Sequence, residues 1–195
     1  MVKLRGKIGL GILVAGLSTL LTVTPAQAAY SQNSGAYSTS FVDGAGTLTD
    51  DFGDHFDELG NSLCYGCGNS WNTDIVVLWQ SILVAEDLLD FGDIDGKFGP
   101  GTRDATIAWQ NRYGLGADGK VGNNTWRKAD DRLVWLSNID VSYTGKYQSG
   151  AVIFHRGSTS KVTDSGAYKL AEVYQYDGVK SIRGTRVEFN QLTTL

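Results

Sequence analysis

The chain has 195 residues, with 17 Lys and Arg against 21 Asp and Glu, two His, two Cys and a formal charge of −4. An acidic balance excludes nucleic acid as the main ligand, because phosphate contacts need a basic surface. Two His and a single Cys pair are also too few for a zinc-peptidase centre or a four-ligand structural zinc, so neither a metal nor a cofactor is expected.

Residues 1–28 read as a signal peptide. Lys3, Arg5 and Lys7 form a basic start, Ile8 to Val23 is apolar, and Pro25-Ala26-Gln27-Ala28-Ala29 offers the small residues of a cleavage site, placed here after Ala28. The apolar run is short of the roughly 20 residues that a spanning helix needs, and no later segment is longer, so no membrane association is expected after cleavage. The predicted location is secreted, extracellular or cell-wall associated. Cleavage removes three cations and no acid, which moves the formal charge from −4 to −7.

Residues 29–70 form an acidic, Ser/Gly-rich leader with too little apolar material for a core of its own. Phe52, Phe56 and Leu59 recur at helical spacing, which predicts a short amphipathic helix over 50–59 that docks on the following unit. Cys64 and Cys67 close the leader. In a secreted chain without a second Cys pair they read as a local disulfide that stiffens the junction before Trp71, with a thiol oxidoreductase as the alternative that lacks a surrounding βαβ pattern. The leader carries six acids and no Lys or Arg, whereas 141–195 carries seven cations and four acids. Both regions read as solvated, with contact between them, or between the tail and an acidic partner, as the alternative.

From Thr73 the periodicity is helical. Ile75, Leu78, Trp79, Ile82, Ala85 and Leu89 share one face, with Thr73 or Asn72 as cap and Phe91-Gly92 as the stop. A second helix is predicted over 102–113 and a third from Thr125 to about Leu136, presenting Trp126, Ala129, Leu133 and Leu136. Three helices this short must share one core. Each of the last two follows a copy of one motif: Asp95-Gly96-Lys97-Phe98-Gly99-Pro100-Gly101-Thr102 returns as Asp118-Gly119-Lys120-Val121-Gly122-Asn123-Asn124-Thr125. Asp-Gly specifies a turn with positive φ, the apolar residue plugs inward, and the Thr reads as the helix cap.

These residues resemble the small three-helix peptidoglycan-binding domain found appended to bacterial cell-wall hydrolases, amidases and carboxypeptidases. The resemblance covers about residues 71–136 and rests on Trp79-Gln80, Asp95 to Thr102, Ala105, Trp109-Gln110, Gly114-Leu115, Asp118 to Gly122 and Thr125-Trp126. Trp79 stands where Leu is usual, Trp109 where Phe is usual, and Asn123 where Pro often follows the Gly. The resemblance implies a three-helix unit that binds peptidoglycan. A ligand of sugar rings and amide-rich peptide needs stacking aromatics and polar partners, and the repeats supply candidates: Gln80, Asp95, Gly96, Thr102, Gln110, Asp118, Gly119 and Thr125. The starts of the second and third helices are further candidates, for a peptide carboxylate.

After Asn138 the period becomes two. Val152 to Arg156, Leu170 to Tyr176 and Arg186 to Leu192 predict an antiparallel sheet of three or four strands over 138–195. No Gly-x-Ser-x-Gly is present, no Cys lies in this region, and a triad of His155, Asp164 and a Ser has little support. The expected fold class is therefore α+β, a small three-helix peptidoglycan-binding-like bundle (71–137) followed by a small antiparallel β region (138–195). The expected function is that of a non-catalytic wall-binding protein, with peptidoglycan as partner and a possible protein partner for the C-terminal region. The alternatives are an atypical peptidoglycan hydrolase with its site in 141–195, and a protein-interaction module that reuses the fold.

Overall fold

The computed structural model describes residues 52, 62–137, 140–155, 170–176 and 182–188. The expected signal peptide, nearly all of the leader, and Asp164 and Asp177 lie outside the described residues.

Helix α1 (Asp74–Ala85) is buried at every position. Its sequence is apolar on all sides, which suits a helix covered all round rather than along one stripe. Thr73 is its cap, accepting a bond from the Val76 N–H at 3.2 Å, and the helix ends at Ala85, before Leu89. Helix α2 (Pro100–Tyr113) starts with Pro at its first position, where a missing N–H costs nothing, and stops at Gly114 in the left-handed region (φ 72°). Helix α3 (Asn123–Asp130) is shorter than expected. Leu133–Trp135 is not its last turn but a strand, β1, and Leu136 is exposed rather than part of a helical stripe. The segment Leu133-Val134-Trp135 suits a helical end or a strand, and pairing with the next strand decides its state.

The sheet has five strands rather than three or four: β1, β2 (Asp140–Thr144), β3 (Gly150–His155), β4 (Leu170–Tyr176) and β5 (Ile182–Glu188), antiparallel and in sequence order. The unforeseen strands are the two at its start, and the last begins at Ile182 rather than Arg186. Cross-strand rows such as Val141, Phe154, Ala171 and Val187 face inward. The three-helix unit and the antiparallel sheet make an α+β fold.

One apolar cluster runs from the helices into the sheet, from Phe52 and Leu63 through Trp79, Trp109 and Trp126 to Phe154 and Val173. Trp79 is at its centre, with its ring edge-on to Trp109 at 5.2 Å and to Trp126 at 5.4 Å. The buried indole N–H groups of Trp79 and Trp109 both have partners: Trp79 donates to Thr106 Oγ1 (2.9 Å) and Trp109 to Tyr143 Oη (3.1 Å). Tight turns let the sheet approach α1. A Cβ on Gly145 or Gly150 would sit 2.5 or 2.8 Å from the Ala85 carbonyl oxygen, so the β2–β3 hairpin can press against the end of α1 only with glycine there. Phe52, the described residue of the predicted 50–59 helix, is helical and fully buried. Its N–H donates to Asp130 Oδ1 (2.7 Å) and its ring meets Trp126 and Phe154. Among the described residues no helix is long and apolar enough to cross a membrane.

Candidate functional site

The two motif copies form the same device twice. In the first, Gln80 of α1 reaches into the turn before α2: its Nε2 donates to Asp95 Oδ1 (2.9 Å), the Lys97 carbonyl (3.2 Å) and Thr102 Oγ1 (3.2 Å). Its Oε1 accepts from the N–H of Asp95 (3.1 Å) and of Gly96 (2.8 Å). In the second, Gln110 of α2 reaches into the turn before α3, donating to Asp118 Oδ1 (3.0 Å), the Lys120 carbonyl (2.8 Å) and Thr125 Oγ1 (3.1 Å), and accepting from the Gly119 N–H (2.9 Å). Gly96 and Gly119 have φ of 74° and 70°, the positive values expected of Asp-Gly. Each helix thus carries one side chain that fixes the entrance of the next.

All eight candidate residues named from the sequence fall in these two networks, four in each. The threonines do not cap. Gly99 and Gly122 hold the cap positions, and Thr102 and Thr125 are third residues of their helices, where the hydroxyls accept from the glutamines and donate to the Lys97 (3.4 Å) and Lys120 (3.3 Å) carbonyls. Pro100 and Asn123 both occupy the first helical position, so Asn is accommodated where Pro is usual.

A groove opens beside each device. The first, about 160 Å³, is lined by Gln80, Asp95, Lys97 and Thr102 among others. The second, about 350 Å³, is lined by Ser62, Gln110, Asp118, Lys120, Asn124 and Thr125 among others. The Asp118 carboxyl faces opposing influences. Partial burial raises its pKa, but bonds from the Lys120 N–H and the Gln110 amide, with the Lys120 charge, outweigh burial and leave it below the usual value of 3.8. The second groove therefore offers an ionised carboxylate, a lysine, amides and the start of α3.

The segment before α1 ties the two turns together. Leu63 pairs with Val121 through two backbone bonds (3.1 and 2.9 Å), and Trp71 forms a bridge with Lys97. Between them Cys64 and Cys67 are joined as a disulfide, with Cα atoms 5.3 Å apart.

The sequence reading missed the buried carboxylate of Glu86, just past the end of α1. It accepts from Tyr113 Oη (2.6 Å), Tyr143 Oη, Arg112 Nη1 (2.8 Å) and the Lys146 N–H (3.1 Å), so a fully buried charge is matched on both oxygens. Burial, followed by the bond to Glu86, raises the Tyr113 pKa; burial and then the Glu86 charge raise that of Tyr143, so both hydroxyls stay protonated and donate. His155 Nδ1 pairs with Asp140 Oδ1 directly across β2 and β3, and Ser137 Oγ donates to the other oxygen of Asp140 (2.9 Å). That serine bonds the aspartate instead of the imidazole, which is not the order of a hydrolytic triad. Among the described residues no three His, Cys, Asp or Glu side chains converge as a metal site.

The repeated turn, its clamping glutamines and the three-helix arrangement bear on a comparison with known families. Residues 73–128 match the putative peptidoglycan binding domain. Neither a curated protein nor a solved structure matches the chain. Both clamps lie inside the matched segment, whereas the disulfide loop precedes it and the whole sheet follows it.

Proposed function

We propose that this is a secreted, non-catalytic protein whose peptidoglycan-binding domain retains it at the cell wall. The match over residues 73–128 carries the reading and supports peptidoglycan as partner. Within the domain, the grooves beside the two clamps are the proposed contact surface, with Gln80, Asp95, Gly96 and Thr102 lining or shaping the first and Gln110, Asp118, Gly119 and Thr125 the second.

The chemistry suits a wall peptide. Amide groups at Asn123 and Asn124 match peptide N–H and carbonyl groups, while Lys120 and the start of α3 favour a carboxylate. The clamp bonds keep this surface preformed, so little ordering is required on binding. The five-stranded sheet supports α1 from behind, and a protein partner for its outer face completes the reading of the C-terminal region.

Sedimentation with purified insoluble peptidoglycan tests the proposal. The chain without residues 1–28 is expected in the pellet at low and high salt, with no fall in turbidity of the suspension. Protein that stays in the supernatant would overturn wall binding, and falling turbidity would overturn the non-catalytic assignment.

A further inference from the structure

Two large aromatic side chains stand in water on the disulfide loop, outside the matched segment: Tyr65 is 52% exposed and Trp71 is 53% exposed. Trp79, Trp109 and Trp126 are essentially fully buried and Trp135 is partly buried against the core, so Trp71 is the exposed one of the five tryptophans. The exposure is not the result of a loose backbone. Trp71 is bridged to Lys97, the Phe98 N–H donates to the Ser70 carbonyl (2.8 Å), and the Thr73 N–H donates to the Gly96 carbonyl (3.1 Å). The Cys64–Cys67 link and the Cys64 N–H bond to Ser70 Oγ (2.9 Å) close the loop between the rings.

Each ring has a cation over it: Lys97 Nζ is 5.7 Å from the Trp71 ring centre, and the Arg103 guanidinium carbon 5.8 Å from that of Tyr65. Such contacts hold a ring in one orientation and leave its remaining surface to solvent. A rigid, oriented, half-exposed aromatic is what the apolar face of a sugar ring stacks on, and it loses little conformational entropy in doing so. The two cations beside the rings complement carboxylate or acetamido oxygens on the same sugar. The loop also adjoins both grooves, since Ser62 lines the second and Lys97 the first.

We infer that Tyr65 and Trp71 form a sugar-stacking platform for the glycan strand of the wall polymer, extending the site beyond the matched domain. The inference rests on the wall-binding reading and adds which part of the polymer this surface takes: the grooves receive the peptide, and the loop receives the sugars. Stacking on apolar ring faces also gives a chain of formal charge −7 after cleavage a means of holding an anionic polymer that does not rest on net charge.

The test uses the chain without residues 1–28 and two probes, intact peptidoglycan and peptide-free glycan strands released from it by an amidase. Wild type is expected to bind both. Trp71→Ala is expected to bind the peptide-free strands about tenfold more weakly and Tyr65→Ala about fivefold more weakly, as for aromatic anchors truncated at an interface. Trp71→Phe, which keeps a stacking ring, should stay within about twofold of wild type. Tryptophan emission gives a readout that folding defects do not mimic: glycan should shift the emission of wild type to the blue and leave that of Trp71→Phe unmoved. Wild type that binds intact peptidoglycan but not the peptide-free strands, unchanged binding by both alanine variants, or an emission shift that persists in Trp71→Phe would each overturn the platform. Failure of wild type to bind intact peptidoglycan would overturn the wall-binding reading itself, a distinguishable result.

Discussion

The two copies of the clamp are close in sequence and unequal in surroundings. Gln80 comes from a helix buried at every position and accepts two backbone N–H bonds, whereas Gln110 comes from a partly exposed helix and accepts one. The groove beside the first is less than half the size of that beside the second. We propose that the same motif does two jobs. The first copy is mainly a strut between α1 and α2, and the second has the space to serve as a ligand cleft. Repetition preserves the local bonding, and the packing around each copy decides its use.

Removing each clamp in turn tests that inequality most strongly. Gln80→Ala is expected to lose about 3 kcal/mol in urea unfolding, since it strands the N–H groups of both Asp95 and Gly96 at the entrance of α2. Gln110→Ala, which strands the single N–H of Gly119, should lose about 2 kcal/mol. A larger loss for Gln110→Ala would reverse the assignment of strut and cleft.

A milder change tests whether the two copies share a foundation. Glu86 joins the end of α1 to that of α2 and to the β2–β3 hairpin, so it stands behind both clamps. Tyr143→Phe should cost about 2 kcal/mol at neutral pH, through the lost bond to Glu86 and a buried Trp109 N–H left without its acceptor. The pH dependence has a definite sign. The Tyr113 and Tyr143 pKa values are raised on folding, so their stabilisation is complete below the unfolded value of 10.0 and is lost as pH rises above it. Wild type should lose stability above about pH 10, and Tyr143→Phe should lose less over the same range in thermal melts.

The smallest expected effect lies in the second groove. The Asp118 pKa is lowered on folding, so its contribution is present above the unfolded value of 3.8 and is lost as pH falls below it. Asp118→Asn should be slightly less stable than wild type at pH 7, and the two should converge below that value. A gap that persists in acid would mean the carboxylate charge is not what stabilises this turn.

Much of this was legible in the sequence. The repeat and the glycine turns follow from local rules, and the wall-binding resemblance lies on the residues that build the clamps, but the helix starts were read two residues late, at Thr102 and Thr125 instead of Pro100 and Asn123. What the sequence hid was direction. Gln80 and Gln110 stand on apolar helix faces, a sign that each is satisfied internally, and both turned out to bond the very turns they were grouped with as ligand candidates. Leu133 to Trp135 suits either a helical end or a strand, and only the neighbouring strand selects between them. Glu86 was invisible because its partners lie 26 to 60 residues away, with no local pattern to connect them. Asp140 pairs with His155 through strand register, which no spacing rule gives.

Backbone amide shifts, followed by NMR while a soluble peptide-bearing wall fragment is titrated into the chain without residues 1–28, test the division between strut and cleft most directly. The largest changes are expected at Gly119, Lys120 and Asn123 to Thr125, with smaller ones at Asp95 to Lys97. Changes concentrated in the first turn, or confined to the sheet with the second turn silent, would contradict it.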